Sequence, residues 1–277
     1  MAKLPPLGRR PFLKMHGLGN DFVIFDARTQ SLRLNYDVVR RVSNRLTGIG
    51  CDQLIVMEPS NRADVFMRIY NQDGGEVGAC GNASRCVATL VGHACTIETR
   101  GGLLSATPDG ASSATVDMGA PRFGWDEIPL AYPMDTLAMP VAWEGLANPA
   151  GVNVGNPHAV FFVSDLAAND LHTLGPKIEH DPLFPERVNV DVALVQDRQT
   201  ILLRVWERGA GLTLACGTGA CATAAAAIRR GLTDRRVTVH LPGGPLTIEW
   251  TTDNRLLMTG GVATAFTGEV DLDAYAG

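Results

Sequence analysis

The sequence predicts a mixed α/β (α+β) fold in two homologous halves, each dominated by strands and carrying one helix that begins at a cysteine. Three observations lead there. The chain has 277 residues, 45% apolar and 19% charged, enough for two ordinary domains with buried cores. Residues 66–88 (FMRIYNQDGGEVGACGNASRCVA) lie without a gap over residues 202–224 (LLRVWERGAGLTLACGTGACATA), at a shift of 136. Six of the 23 positions are identical, Ala79-Cys80-Gly81 against Ala215-Cys216-Gly217 among them, where unrelated segments of this composition share about one or two. The same shift places Gly19-Asn20 on Gly155-Asn156 and the amide of Gln53 on that of Asn189.

Taken in order, Phe22 to Phe25, Leu54 to Met57 and Val65 to Tyr70 read as strands, being rich in Val, Ile and aromatic residues. Between the first two, Tyr36 to Leu46 reads as a helix with Val38, Val39, Val42 and Leu46 on one face and Asn35 as its N-cap. Ala159 to Val163, Ile201 to Glu207, Val237 to Leu241 and Leu246 to Trp250 are further strands, the last two joined by a Pro-Gly-Gly turn. After each Ala-Cys-Gly comes an Ala-rich helical stretch, ending near Gly92 and Gly231. Pro and polar residues collect between Pro121 and Gly151, the best boundary. The expected halves are therefore 1–122 and 123–263; that 264–277 returns to the first is a further expectation, which no local pattern shows.

Composition narrows the function. The chain holds 24 Lys plus Arg against 29 Asp plus Glu, a net of −5, and has no basic stripe with interleaved aromatics, so nucleic acid is not expected as a partner. Met1 to Arg10 is basic but is followed by no apolar run of signal-peptide length. The longest apolar stretch, Ala220 to Ile228, is too short for a bilayer, so no membrane partner is expected. A cytoplasmic setting follows, with the six cysteines as thiols. Only three lysines are present (Lys3, Lys14, Lys177), none in a recognisable cofactor-binding setting, which disfavours a pyridoxal-phosphate enzyme.

A cysteine at a helix N-terminus faces unpaired N–H groups and the positive end of the dipole, which stabilise its thiolate. The same N–H groups bind an anion such as a carboxylate. Two such cysteines, Cys80 and Cys216, would set a sulfur on either side of one molecule. That suits inversion of a carbon α to a carboxylate, where a base removes a proton from one face and an acid returns one to the other. Neither cofactor nor metal is required. Zinc is a weaker reading, because Cys80/Cys86 and Cys216/Cys221 are six and five residues apart and point to different helix faces. No Cys-x-x-Cys redox motif occurs, and Cys51, Cys86, Cys95 and Cys221 read as core filling.

The segments HGLGNDFV (16–23), GIGCDQL (48–54), NQDGGEVGACGNASRC (71–86), GNPH (155–158), ERVNV (186–190) and ERGAGLTLACGTGACA (207–222) resemble the diaminopimelate epimerases, in that family's order and over nearly the whole chain. The resemblance implies cofactor-independent interconversion of LL- and meso-diaminopimelate, a step toward lysine and peptidoglycan. It also implies two pseudo-symmetric domains, each a barrel-like, mostly antiparallel sheet around a central helix, and a homodimer. By motif, Cys80 and Cys216 are the acid/base pair. Gly81, Asn82, Gly217 and Thr218 offer N–H groups to the reacting carboxylate, and Asn20 and Gln53 line the site. Asn71, Asn156, Asn189 and Arg208 resemble the residues that hold the distal amino-acid end, while His158 and Glu207 are polar neighbours of the thiols, Glu207 being counted among the substrate contacts as well. The chain departs from the family pattern at Ala83, where glycine is usual, at Gly75, where serine is common, and at Cys51. Proline and hydroxyproline racemases resemble the same arrangement, but act on one small amino acid and need no distal grip. A catalytically silent binding member of the fold would be marked by loss of one cysteine, and both are present.

Overall fold

The computed structural model describes residues 7–276. The basic start read from Met1 to Arg10 thus lies, for its first six residues, outside the described chain. The chain forms two compact units: Asp117–Gly260 is one, and the other comprises the chain up to Val116 and again from Gly261. The Pro- and polar-rich stretch 121–151 lies inside Asp117–Gly260.

In the first unit Asn20–Asp26 runs parallel to Gln53–Glu58, which pairs antiparallel with Val65–Asn71. Val65–Asn71 takes Glu76–Val77 antiparallel and Cys95–Thr99 parallel, and Gly102–Asp109 follows antiparallel to Cys95–Thr99. The second unit repeats this order strand for strand. Pro157–Phe162 runs parallel to Asn189–Asp197, which pairs antiparallel with Thr200–Glu207. Thr200–Glu207 takes Gly211–Thr213 antiparallel and Arg236–Leu241 parallel, and Gly244–Trp250 follows antiparallel to Arg236–Leu241. Registers repeat too, since Phe22 pairs with Gln53 and His158 with Asn189, each position displaced by the 136 residues of the sequence repeat. These are the two pseudo-symmetric halves. Ala263–Asp271 pairs antiparallel with Arg9–Gly17, so the last strand belongs to the first unit.

Four α-helices are described: α1 (Tyr36–Ser43), α2 (Gly81–Val91), α3 (Leu171–Glu179) and α4 (Gly217–Arg229). Asn35 caps α1 through its side chain, which accepts from the Val38 N–H at 2.9 Å. The expected span to Leu46 is too long: α1 ends at Ser43, and Leu46 is 94% exposed instead of joining the apolar face. The cause is the return of the chain over the helix end, where Ile49 and Gly50 donate to the Val42 carbonyl at 2.9 and 3.0 Å.

Helix α4 packs against Ala150–Asn153, Pro157–Phe162, Asn189–Asp197, Thr200–Glu207, Arg236–Leu241 and Gly244–Trp250, all strands of its own unit. Residues Gly219 to Ala227 are buried throughout. A helix enclosed on all sides must be apolar all round, and its alanines let the strands approach closely. Helix α2 packs against Arg9–Gly17, Cys95–Thr99 and Gly102–Asp109. It carries a fully buried Arg85, which donates to Asn82 Oδ1 at 3.0 Å. Gly17 makes room for that guanidinium, since a Cβ there would stand 3.0 Å from an Arg85 nitrogen.

Candidate active site

Each repeated cysteine is the N-cap of its helix. Cys80 (φ −152°, ψ 109°) and Cys216 (φ −126°, ψ 107°) are extended, and each sulfur accepts the N–H three residues on. The distances are 3.4 Å from Ala83 and 3.3 Å from Gly219. The N–H groups of Gly81, Asn82, Gly217 and Thr218 belong to the first turns and have no acceptor within their own helices. Ala83 departs from the family's glycine without moving the helix start, which falls one residue after the cysteine in both units.

In the first unit the Cys80 thiol donates to Asn20 Oδ1 at 3.8 Å, and Asn82 Nδ2 donates to the same oxygen at 3.2 Å. Asn20 follows Gly19, whose φ of 84° favours a residue without a Cβ; Gly155 before Asn156 has φ 111°. The Asn20 amide is held from behind, as its Nδ2 donates to Asp52 Oδ2 at 3.0 Å. Arg45 binds both Asp52 and Asp21, at 2.7 and 2.6 Å, and Lys14 also binds Asp21. Burial would raise the Asp21 carboxyl, but these two cations hold it well below the usual range. Gln53 Nε2 donates to Asn71 Oδ1 at 3.0 Å, leaving Gln53 Oε1 buried with no partner among the described residues.

The second unit holds its predicted residues in three hydrogen-bonded groups. His158 is completely buried, with Nδ1 2.8 Å from Asp191 Oδ2 and Nε2 3.0 Å from Asn156 Oδ1. Asn189 accepts the Arg208 N–H at 2.9 Å and donates to the Pro157 carbonyl at 2.8 Å. Arg208 Nη1 donates to the Glu186 carbonyl at 2.8 Å. Glu207 accepts from Thr213 at 2.6 Å and shares a hydrogen bond with Cys216, which also lies 3.4 Å from Thr218 Oγ1.

The electrostatics of Cys216 differ from the simple helix-start expectation. Burial pushes the thiol well up, and the charges of Glu207 and Asp191 push it further. The Thr218 and Gly219 hydrogen bonds only partly offset this. Burial likewise raises the Glu207 carboxyl, with Thr213, Cys216 and His158 acting against it. Asp191 is raised by its complete burial, with His158 pulling the other way. Cys86, by contrast, is simply buried, its thiol pushed up to about 12, as suits core filling.

Asp52 and Asp191 were not picked out from sequence. Asp52 lay inside a recognised motif. Asp191 directly follows another, and its alternation with Asn189 marks a polar face on a buried strand.

Comparison with known proteins first defines the class. The chain matches the structure of a hydroxyproline epimerase from Agrobacterium vitis with bound trans-4-OH-L-proline (TM-score 0.67, 17% identity, 96% of this chain and 93% of that one). It also matches a PhzF-family phenazine biosynthesis protein from Bacillus anthracis (TM-score 0.67, 16% identity, 95% and 99%). These likenesses establish the two-half α/β fold those proteins share. Sequence relatives are more specific. The family profile of diaminopimelate epimerase matches residues 12–124 and 151–265. A diaminopimelate epimerase from Erythrobacter litoralis is 58% identical over 97% of this chain and 100% of its own length. Another from Rhizorhabdus wittichii is 59% identical, over 95% and 96%. The chain belongs to the diaminopimelate epimerase family.

Proposed function

We propose that the protein is an isomerase that interconverts LL- and meso-diaminopimelate, on the way to lysine and peptidoglycan precursors, with Cys80 and Cys216 as its two proton carriers. One observation carries this reading: two cysteines at equivalent helix starts, each sulfur capping its helix beside N–H groups suited to a carboxylate. One thiolate takes the α-proton, and the electron pair left on carbon spreads into the α-carboxylate as an enolate. The N–H groups of Gly81, Asn82, Gly217 and Thr218 stabilise that charge. The other thiol gives its proton to the opposite face, leaving thiol and thiolate exchanged, and solvent exchange resets them. The scheme needs no cofactor. Asn20 and Gln53 contact the substrate near the reacting centre, while His158 and Glu207 orient the Cys216 proton.

Arg208, with Asn71, Asn156 and Asn189, holds the distal amino-acid end, which separates diaminopimelate from proline-like substrates. Cytoplasmic homodimers of this chain, with each half contributing one thiol, complete the reading. Among the described residues no helix is long and apolar enough to cross a membrane.

The test is LL-diaminopimelate in heavy water without added cofactor. The expected product is meso-diaminopimelate with deuterium at one α-carbon. Cys80→Ala and Cys216→Ala should each lower interconversion by orders of magnitude, because one proton carrier is lost. Full activity in either variant overturns the assignment.

A further inference from the structure

Glu179 is the last residue of α3 and is 2% exposed. A carboxylate at a helix C-terminus meets the negative end of the dipole, and a buried one demands partners. Both oxygens find them on a single short stretch of chain. Oε2 accepts from Trp206 Nε1 at 2.8 Å, and Oε1 accepts the Gly209 backbone N–H at 3.0 Å. Arg187 adds an ion pair at 3.8 Å. The two donors flank Glu207 and Arg208 on either side. One turn earlier on the same helix face, Gly175 receives the Trp206 ring, for a Cβ there would stand 2.4 Å from ring atoms.

We propose that Glu179 is a positioning residue for Arg208. By holding the Trp206 indole before Glu207-Arg208 and the Gly209 backbone N–H after it, it aims the guanidinium at the distal carboxylate of a dicarboxylic substrate. Selectivity is thus set from α3, which packs on the strands carrying Asn189 and Arg208's neighbour Glu207. The inference rests on the reading of Arg208 given above.

Steady-state kinetics with LL-diaminopimelate, alongside thermal melting, test it in E179Q, W206F, R208M and E179Q/R208M. Glutamine keeps the volume but offers one acceptor oxygen for two donors. E179Q should raise KM about tenfold, the scale of one lost hydrogen bond to a charged group, with kcat within about twofold. W206F removes one donor and should shift KM the same way by less. In the R208M background E179Q should add nothing to KM. A folded E179Q with unchanged KM, a fall in kcat alone, or an equal KM rise with and without Arg208 overturns the proposal and leaves Glu179 a structural role. If E179Q does not fold, W206F is judged by the same criteria with and without Arg208. R208M with unchanged KM overturns the reading of Arg208 and this inference with it. R208M with raised KM beside an unaffected E179Q overturns this inference alone.

Discussion

The two thiols occupy equivalent positions in unequal surroundings. Where the first half has Phe22, Ile55 and Asn71, the second has His158, Asp191 and Glu207, each displaced by 136 residues. Phe22 and Ile55 are fully buried, as are His158 and Asp191. A buried polar pair is a poor route to stability compared with an apolar one, so the difference points to chemistry at Cys216. Burial and two carboxylates push its thiol well up, which favours the thiol over the thiolate at Cys216. Alkylation by iodoacetamide, followed residue by residue across pH, should show Cys216 unreactive until well above the ordinary thiol range. Asp191→Asn or Glu207→Gln removes negative charge, stabilises the thiolate and should move the onset to lower pH. An unchanged or higher onset contradicts this assignment. Sequence exposed the cysteines through their repeat, but not Asp191, whose counterpart Ile55 is apolar and so gives no repeated signal.

Among the elements, the cysteine-capped helices were legible because Ala-Cys-Gly precedes a run of small residues in both halves. Helix α3 was not. It is nine residues long, contains Gly175 and Pro176, and owes its place to the Trp206 ring and the Glu179 hydrogen bonds. The length of α1 was overestimated because the bonds from Ile49 and Gly50 that turn the chain back over its end are tertiary. The start of α4 makes a sharper prediction. A Cβ at Gly219 would stand 3.0 Å from Val205, 3.1 Å from Asp191 Oδ1 and 3.3 Å from the Cys216 sulfur. The first half carries Ala83 at the equivalent position of α2, so a methyl group is compatible with the helix start itself. Gly219→Ala should therefore displace the Asp191 and Cys216 side chains and lower kcat about tenfold or more. The stability cost should be no more than ~1–3 kcal/mol. Kinetics beside denaturant unfolding check both, and unchanged turnover counts against the tight placement of Cys216.

At the scale of the whole molecule, duplication was visible because its offset stays constant from Asn20 to Ala224, and the strand registers repeat it. The return of Ala263–Asp271 to pair with Arg9–Gly17 is a tertiary choice that no local pattern encodes. In the proposed reading, Arg208 with Asn71, Asn156 and Asn189 selects the substrate. Arg208→Met should impair diaminopimelate turnover by about ten- to a hundredfold, the value of a charge-assisted hydrogen bond, while the pH at which each of Cys80 and Cys216 becomes open to alkylation stays where it is in the unaltered protein. Faster turnover of proline or hydroxyproline than of diaminopimelate by the unaltered enzyme would contradict the distal grip. The central claim, that separate thiols remove and return the proton, is tested most directly by the distribution of label at early times. LL-diaminopimelate is incubated in heavy water and the reaction is stopped after a few per cent conversion. Two carriers predict meso product with one deuterium at the inverted carbon and no deuterium in the recovered LL substrate. Unlabelled product, or label entering the recovered substrate as fast as the product, would mean that one group handles both protons.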